Sequence, residues 1–260
     1  MKPALKIGGF ALATLFALSF WSVDTLSALA AGKRPAGTLS AEPAEAAPAG
    51  SAALSGKIRL SGAAPAREKI KMAADPACLQ RHKDPVLSQD VVASGGMLQN
   101  VLVYVKEGAQ GSYPAPAHSV TLNQNGCLYE PHLFGIQLGQ KLEIVNSDPT
   151  LHNINCQAKS NKKFNIAQPM KGMKTVKTFD QPEVGVPFKC NVHPWMSAYA
   201  GVFSHPFFAV TDAGGTFQIQ GLPAGTYTIE AWHEKLGTQT QKVTLADGET
   251  KQISFSFAGK

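Results

Sequence analysis

Charge is scarce in this chain. Only 16% of its 260 residues are Asp, Glu, Lys or Arg, and they lie scattered rather than in a basic stripe. The net charge of +6 is too diffuse to follow a phosphate backbone, so nucleic acid is excluded as an expected partner. There is no nucleophile elbow, no phosphate-cradling glycine loop and no C-x-x-C-H haem motif. No pattern places a general base beside an open substrate position, so the chain reads as a non-enzyme. Beyond Val23 there is no long apolar run and no long segment of helical periodicity. That excludes a helical bundle and leaves one candidate membrane segment, at the N-terminus.

That N-terminus carries Lys2 and Lys6, an uncharged apolar run from Ile7 to Val23, and the small-residue pattern Ala28-Leu29-Ala30. Residues 1–30 read as a secretory signal peptide cleaved after Ala30. An uncleaved anchor is the alternative, although the run is slightly short for a full span. Loss of Lys2, Lys6 and Asp24 leaves a scattered +5. A mild positive face would help dock an acidic redox partner; a merely solvated surface is the other reading. Residues 31–55 are almost only Ala, Pro, Gly, Ser and Glu, too poor in apolar side chains to build a core. They read as a flexible tether, with order beginning near Gly56. The expected destination is the periplasm.

Four cysteines, Cys78, Cys127, Cys156 and Cys190, accompany the chain into an oxidising compartment. Three complete pairings are open. If Cys190 binds a metal, one disulfide and one thiol remain. Cys78 with Cys127 is the favoured pair, leaving Cys156 free, because Cys156 lies close to a second candidate ligand.

From Gly56 onward the pattern is β. "GKIRLSG", "NVLVYVKEG", "HSVTLNQ", "KLEIVNSD", "KTVKTFD" and "GVPFKC" are short alternating or β-branched runs bounded by Gly, Pro, Asn and Asp. A helical turn or two is predicted in "AREKIKMAADPACLQRHKD", stopped at Pro76 and Pro85. Short strands at this spacing indicate a sandwich or barrel. Beyond His205 the turns "DAGG", "LPAG" and "ADGE" separate alternating runs. Asp212 to Tyr227 fits D-x-x-G-x-F-x-I-x-x-L-P-x-G-x-Y. This stretch resembles the carboxypeptidase-regulatory, or transthyretin-like, β-sandwich module. The resemblance implies a binding or scaffolding element, and its usual first strand matches Ser55 to Pro65. The boundaries expected are 56–205 for a first domain and 206–260 for the module. The first part is either inserted into the module or precedes it.

The chemistry concentrates in "CNVHPWM", residues 190–196. Cys190, His193 and Met196 offer a thiolate, an imidazole and a thioether from one tight loop. Two imidazoles and a thiolate in a plane with a weak axial thioether make a blue-copper site. "VNSDPTLHN" supplies the second imidazole, His152, after a β-rich run and a short Asp-Pro turn. On these residues, roughly Leu122 to Val202 resembles a cupredoxin, with a ligand loop most like that of amicyanin. The whole resembles the methylamine-utilisation-like group of exported proteins that join a cupredoxin to a regulatory-like module.

The resemblance implies an all-β fold: a cupredoxin-like Greek-key β-sandwich with an associated transthyretin/carboxypeptidase-regulatory-like β-sandwich. It implies one copper ion held by His152, Cys190, His193 and Met196. Asn153 would tie the two ligand loops together, its backbone N–H aimed at the Cys190 sulfur. Pro194 and Trp195 would stiffen the loop and shield the ion, and the ring edge of His193 would be the exit for an electron. The implied function is one-electron shuttling with a c-type cytochrome or a periplasmic oxidoreductase. Copper storage or delivery, and a metal-free or zinc-bound scaffold, are the alternatives.

Other candidates stand beside this set. Cys156 could complete a tetrahedral Cys₂His₂ zinc site with His152, Cys190 and His193. It could equally be a small buried residue or a disulfide partner. His132 is a candidate for orienting a ligand, for another metal or for a capped surface role. His205 and His233, the latter beside Glu234, are candidates for a second metal or for structural hydrogen bonds at a module interface. His82 and His118 read as loop residues.

Overall fold

A computed structural model describes residues 50–259. The leader predicted at 1–30 and most of the tether predicted at 31–55 lie outside the described residues. The first part of the fold comprises β1 (Ala52–Ser61), the short helix α1 (Pro76–Leu79), β2 (Ala93–Ser94), β3 (Met97–Leu98) and β4 (Leu102–Glu107). Then come β5 (Val120–Asn125), β6 (Leu128–Glu130), β7 (Leu133–Gln137), β8 (Leu142–Asn146), β9 (His152–Cys156), β10 (Phe164–Gln168), β11 (Lys174–Lys177), β12 (Glu183–Lys189) and β13 (Ser197–Phe203). The chain finishes with β14 (Phe208–Val210), β15 (Thr216–Leu222), β16 (Gly225–His233), β17 (Gly237–Leu245) and β18 (Thr250–Ala258). No helix among the described residues is long and apolar enough to cross a membrane.

Strand β1 shows how the pattern becomes structure. Leu54, Ile58 and Leu60 are buried while Lys57, Arg59 and Ser61 face water, the period of two that a half-buried strand requires. β1 runs parallel to β18 from Ala53 to Ser61 and antiparallel to β15. Order therefore begins earlier than Gly56. Ala52 is fully buried opposite Leu222, where its small side chain fits; composition alone had counted such residues as tether.

The strands make two sandwiches. In the first, β15, β1, β3 and β2 with β18 face the sheet β14-β4-β16-β17. Its core includes Leu54, Ile58, Val103, Phe217, Ile219, Ile229, Phe255 and Phe257. In the second, β10-β9-β12-β13-β7 faces β11-β8-β5-β6, around Leu122, Ile136, Ile144, Ile154, Val186 and Phe188.

The boundary expected at 56–205 does not follow the strand pairing. β4 pairs with β14, Tyr104 opposite Phe208, and with β16, Leu102 opposite Trp232. Residues up to Glu107 thus contribute strands to the first sandwich, and the chain returns to the neighbouring strand of the same sheet at Phe208. The second sandwich lies between those two points. Pairing of strands this far apart in sequence has no local signature.

The sandwiches meet through Leu102, Tyr104, Leu133 and Phe203, with Tyr199, Phe208 and Trp232 packed alongside. Glycines make the approach close. A Cβ at Gly135 would overlap the Phe208 ring, one at Gly201 would overlap Leu102, and one at Gly185 would fall 2.7 Å from Trp232.

Between β1 and β2 the chain leaves the first sandwich and lies against the second, where Ile70, Met72, Cys78 and Val86 join its core. The helix predicted here is only four residues long and starts at Pro76 instead of stopping there. Asp75 caps it, accepting the Ala77 amide at 2.8 Å. Proline at the first helical position loses no hydrogen bond that the helix would have made.

Candidate metal centre

Two adjacent strands set the site. β9 opens on His152, and Cys190 follows β12 directly; the strands pair at Asn155–Lys189 and Cys156–Phe188. Along β9, alternation turns His152, Ile154 and Cys156 into the core. The loop to β13 folds back on itself, with the Cys190 amide donating to the Met196 carbonyl (3.2 Å) and the Met196 amide to that of His193 (2.9 Å). One ring nitrogen each from His152 and His193 and the Cys190 sulfur lie within 4.8 Å of one another. Met196 is fully buried in the same core.

Both imidazoles are oriented by carboxylates. His152 Nε2 donates to Asp148 Oδ2 at 3.0 Å, and His193 Nε2 to Asp75 Oδ2 at 2.8 Å. The two Nδ1 atoms then face each other at 3.0 Å. With both Nε2 protons committed outward, two lone pairs converge on one point, an arrangement that calls for a proton or a cation between them. Asp148 is itself fixed by the amides of Gly126 (2.8 Å) and Cys127 (2.7 Å) and by Arg81 at 3.3 Å. Burial works to raise its carboxyl, but the bonds from His152, Cys127 and Gly126 outweigh that and hold it below the usual range. Burial pushes the His152 ring down; Asp148 and Cys190 outweigh it and leave the ring above its ordinary value.

Cys190 is tuned the same way. Burial acts to raise its thiol. Hydrogen bonding to His152 and to the amides of Asn153, His193 and Val192 overcomes burial and brings it down to about 6. Asn153 thus links the loops twice: its amide reaches the sulfur, and its side-chain oxygen accepts the Asn191 amide. Tyr129, which donates to the Asn153 carbonyl, lies against the same sulfur; burial first, then Cys190, raises its hydroxyl.

The His193 ring edge, the expected exit for an electron, is covered in the fold. His193 is 2% exposed. The segment around α1 covers it: Asp75 takes Nε2, and the Cys78 sulfur lies 3.5 Å from the same atom. Cys78 and Cys127 form a disulfide. Neither can ligate an ion in that state, although each lies in a cluster with His193 or with His152 and Asp148. Trp195 packs on the His193 ring, centroids 5.1 Å apart, and its indole N–H donates to the Cys127 carbonyl at 3.0 Å. Trp195 remains partly exposed and Pro194 exposed.

The remaining candidates separate from this cluster. Cys156 is a free, buried thiol, not a disulfide partner. It lies four residues along β9 from His152, about 13 Å at strand rise. It belongs to none of the Cys/His clusters among the described residues, so the Cys₂His₂ set does not assemble. Burial raises its thiol to about 11. His132 bonds the Ser197 carbonyl (3.1 Å) and pairs with Glu234. His205, in the bend between β13 and β14, bonds the Val105 carbonyl at 2.9 Å, and burial lowers it. His233 accepts the amides of Lys235 and Leu236, and burial brings it down to about 4. Glu234 therefore meets His132, and no metal cluster joins His132, His205 and His233 among the described residues.

Sequence reasoning missed Asp75, Asp148 and Tyr129 as parts of the site. Asp148 was visible in "NSDPTLHN" as a turn residue, four positions before His152. Asp75 carried the Asp-Pro signal of a helix start, with nothing local to connect it to His193.

These features define an all-β protein of two sandwiches with a buried His₂Cys cluster. Residues 203–258 match the model of the carboxypeptidase regulatory-like domain. No curated protein matches the chain. Among solved structures, a copper-containing nitrite reductase from Thermus scotoductus SA-01 is similar at 23% identity and a TM-score of 0.31, covering 38% of this chain and 25% of that one. The chain thus spans about a quarter of that enzyme. A purple cupredoxin from Nitrosopumilus maritimus aligns at 21% identity and a TM-score of 0.28, over 32% of this chain and 99% of that one. A Cu(I) amicyanin variant aligns at 16% and 0.29, over 38% and 97%. The sandwich inserted between β4 and β14 holds the His₂Cys cluster, and its host includes the stretch that matches the carboxypeptidase regulatory-like domain.

Proposed function

We propose that this chain is a periplasmic electron carrier holding one copper ion through His152, Cys190, His193 and Met196. One observation carries the reading: two imidazole lone pairs and an acidified thiol converge in a buried space, with a thioether in the same loop. That donor set suits copper, because thiolate and thioether are soft ligands and imidazole accepts both oxidation states. When bound, the ion would supply a reversible one-electron couple. The protein's part is to hold the donors. Asp148 fixes the His152 ring, the Asn153 amide shares the charge of the Cys190 sulfur, and Tyr129 and Trp195 keep water out. Ligands fixed this firmly by the fold suit rapid electron transfer, since little needs to rearrange.

The disulfide supports an oxidising compartment, in line with the predicted leader. The partner in this reading is a c-type cytochrome or a periplasmic oxidoreductase. With the His193 edge covered, docking falls to the partly exposed Trp195 face. Burial of the whole cluster disfavours the storage or delivery alternative, which needs ready metal exchange. The test is a visible spectrum of the purified mature chain titrated with Cu(II), then treated with ascorbate. An intense thiolate-to-copper band saturating at one ion per chain and bleaching reversibly is expected, and Cys190→Ser should abolish it. A colourless titration, or colour that survives in the serine variant, sinks the assignment.

A further inference from the structure

We propose that Asp75 is a positioning residue for His193, delivered to the copper ligand by a strap that belongs to neither sheet of the cupredoxin-like sandwich. The proposal rests on the copper reading above. The strap is the segment between β1 and β2. Its hold on the site is specific. As the cap of α1, Asp75 spends Oδ1 on the Ala77 amide at 2.8 Å. That leaves Oδ2 for His193 Nε2 at 2.8 Å and for the Thr150 hydroxyl at 3.2 Å. The carboxylate is thus oriented by the helix start on one side and by the turn before His152 on the other.

His193 needs such a partner. It sits in a loop and not on a strand, so its ring is not oriented by pleating. Trp195 packs on the ring, and the Cys78 sulfur lies 3.5 Å from Nε2. The ring face of Trp195 does not select which nitrogen carries the proton, and the disulfide sulfur, a weak acceptor, selects it only feebly. Asp75 selects it: an acceptor at Nε2 keeps the proton there and turns the Nδ1 lone pair toward His152 and Cys190. The strap is kept in register by the Cys78–Cys127 disulfide, by Arg81 on Asp148 and by His82 donating to the Gly126 carbonyl at 2.7 Å. A segment that begins in the host module therefore fixes one of the metal ligands.

The test compares the full mature chain with Asp75→Asn, which retains a good helix cap but not a carboxylate at Nε2. Asp84→Asn serves as a control on the same segment. In the metal-free protein, long-range ¹⁵N NMR should show His193 as a single Nε2–H tautomer in the wild type and in Asp84→Asn, and as a mixture in Asp75→Asn. Affinity for Cu(I), read by competition with a chelator, should fall about 10- to 100-fold in Asp75→Asn alone, with circular dichroism unchanged. An unchanged tautomer together with copper affinity within about twofold of wild type overturns the proposal. Should the wild type bind no copper, the electron-carrier reading falls separately. The tautomer comparison then decides the role of Asp75 by itself: a shift to a mixture supports it, and no shift overturns it.

Discussion

Removing the Cys78–Cys127 disulfide should cost the metal-free protein about 4 kcal/mol. The bridge closes a loop over a separation of 49 residues. In the chain-entropy treatment, a cross-link of that span removes about 4 kcal/mol of disorder from the unfolded chain at room temperature. The native side adds little: both cysteines are fully buried, and alanine leaves only a small space at each. The perturbation is the double variant Cys78→Ala/Cys127→Ala, since a single change leaves an unpaired thiol. Urea unfolding of the metal-free variant and wild type, followed by tryptophan fluorescence, measures the difference. Trp195 is a suitable reporter because its indole is bonded to Cys127. A loss below about 1 kcal/mol would refute the reasoning. It would mean that the strap detaches before the sandwiches unfold, so that the cross-link does not constrain the state reached at the transition.

Three further outcomes are expected. In the metal-free protein, thiolate absorbance should rise with a midpoint near pH 6 for Cys190 and near pH 11 for Cys156. Because the folded value of Cys190 lies below its ordinary 9, its ionisation stabilises the fold fully above pH 9, and that contribution is lost as pH falls toward 6; a single step above 9 in the titration contradicts this. Glu183 accepts the amides of Lys159 (2.6 Å), Ser160 (2.9 Å) and Asn161 (3.2 Å). Burial pushes its carboxyl up, but these bonds outweigh it and hold it below 4.5. Glu183→Gln should therefore cost about 1–3 kcal/mol at pH 7, with the gap from wild type closing below pH 4.5, as thermal melts across pH will show; a constant gap counts against the carboxylate. At the junction of the sandwiches, Gly135→Ala should destabilise by about 1–3 kcal/mol through overlap with Phe208. Adding Phe208→Ala should recover part of that loss, so strictly additive melting data would disprove the contact.

The site was partly legible because its ligands are residue types that the chemistry demands. A thiolate, an imidazole and a thioether within seven positions, and a histidine after an Asp-Pro turn, stand out in a chain with only four cysteines and seven histidines. The groups that orient those ligands did not stand out. Asp75 looks like any helix cap, Asp148 like any turn residue, and Tyr129 like any strand aromatic. Each acts on the cluster only because the chain returns to it from elsewhere. Cys156 shows the converse. Its position four residues from His152 suggested a ligand, yet on an extended strand that interval carries it along the core and away from the His₂Cys cluster.

By itself, then, the sequence determined that the chain is β throughout, where its turns fall and which side chains could bind a soft metal. These follow from alternation, from glycine and proline conformations and from donor chemistry, all of which act over a few residues. Only the tertiary structure decided that β4 and β14 are neighbours around an inserted sandwich, that a strap from the host module covers His193, and that two carboxylates turn both Nδ1 atoms inward. Those are pairings between distant segments. The free energy of burying whole faces against each other selects them, and that selection leaves no local mark in the order of the residues.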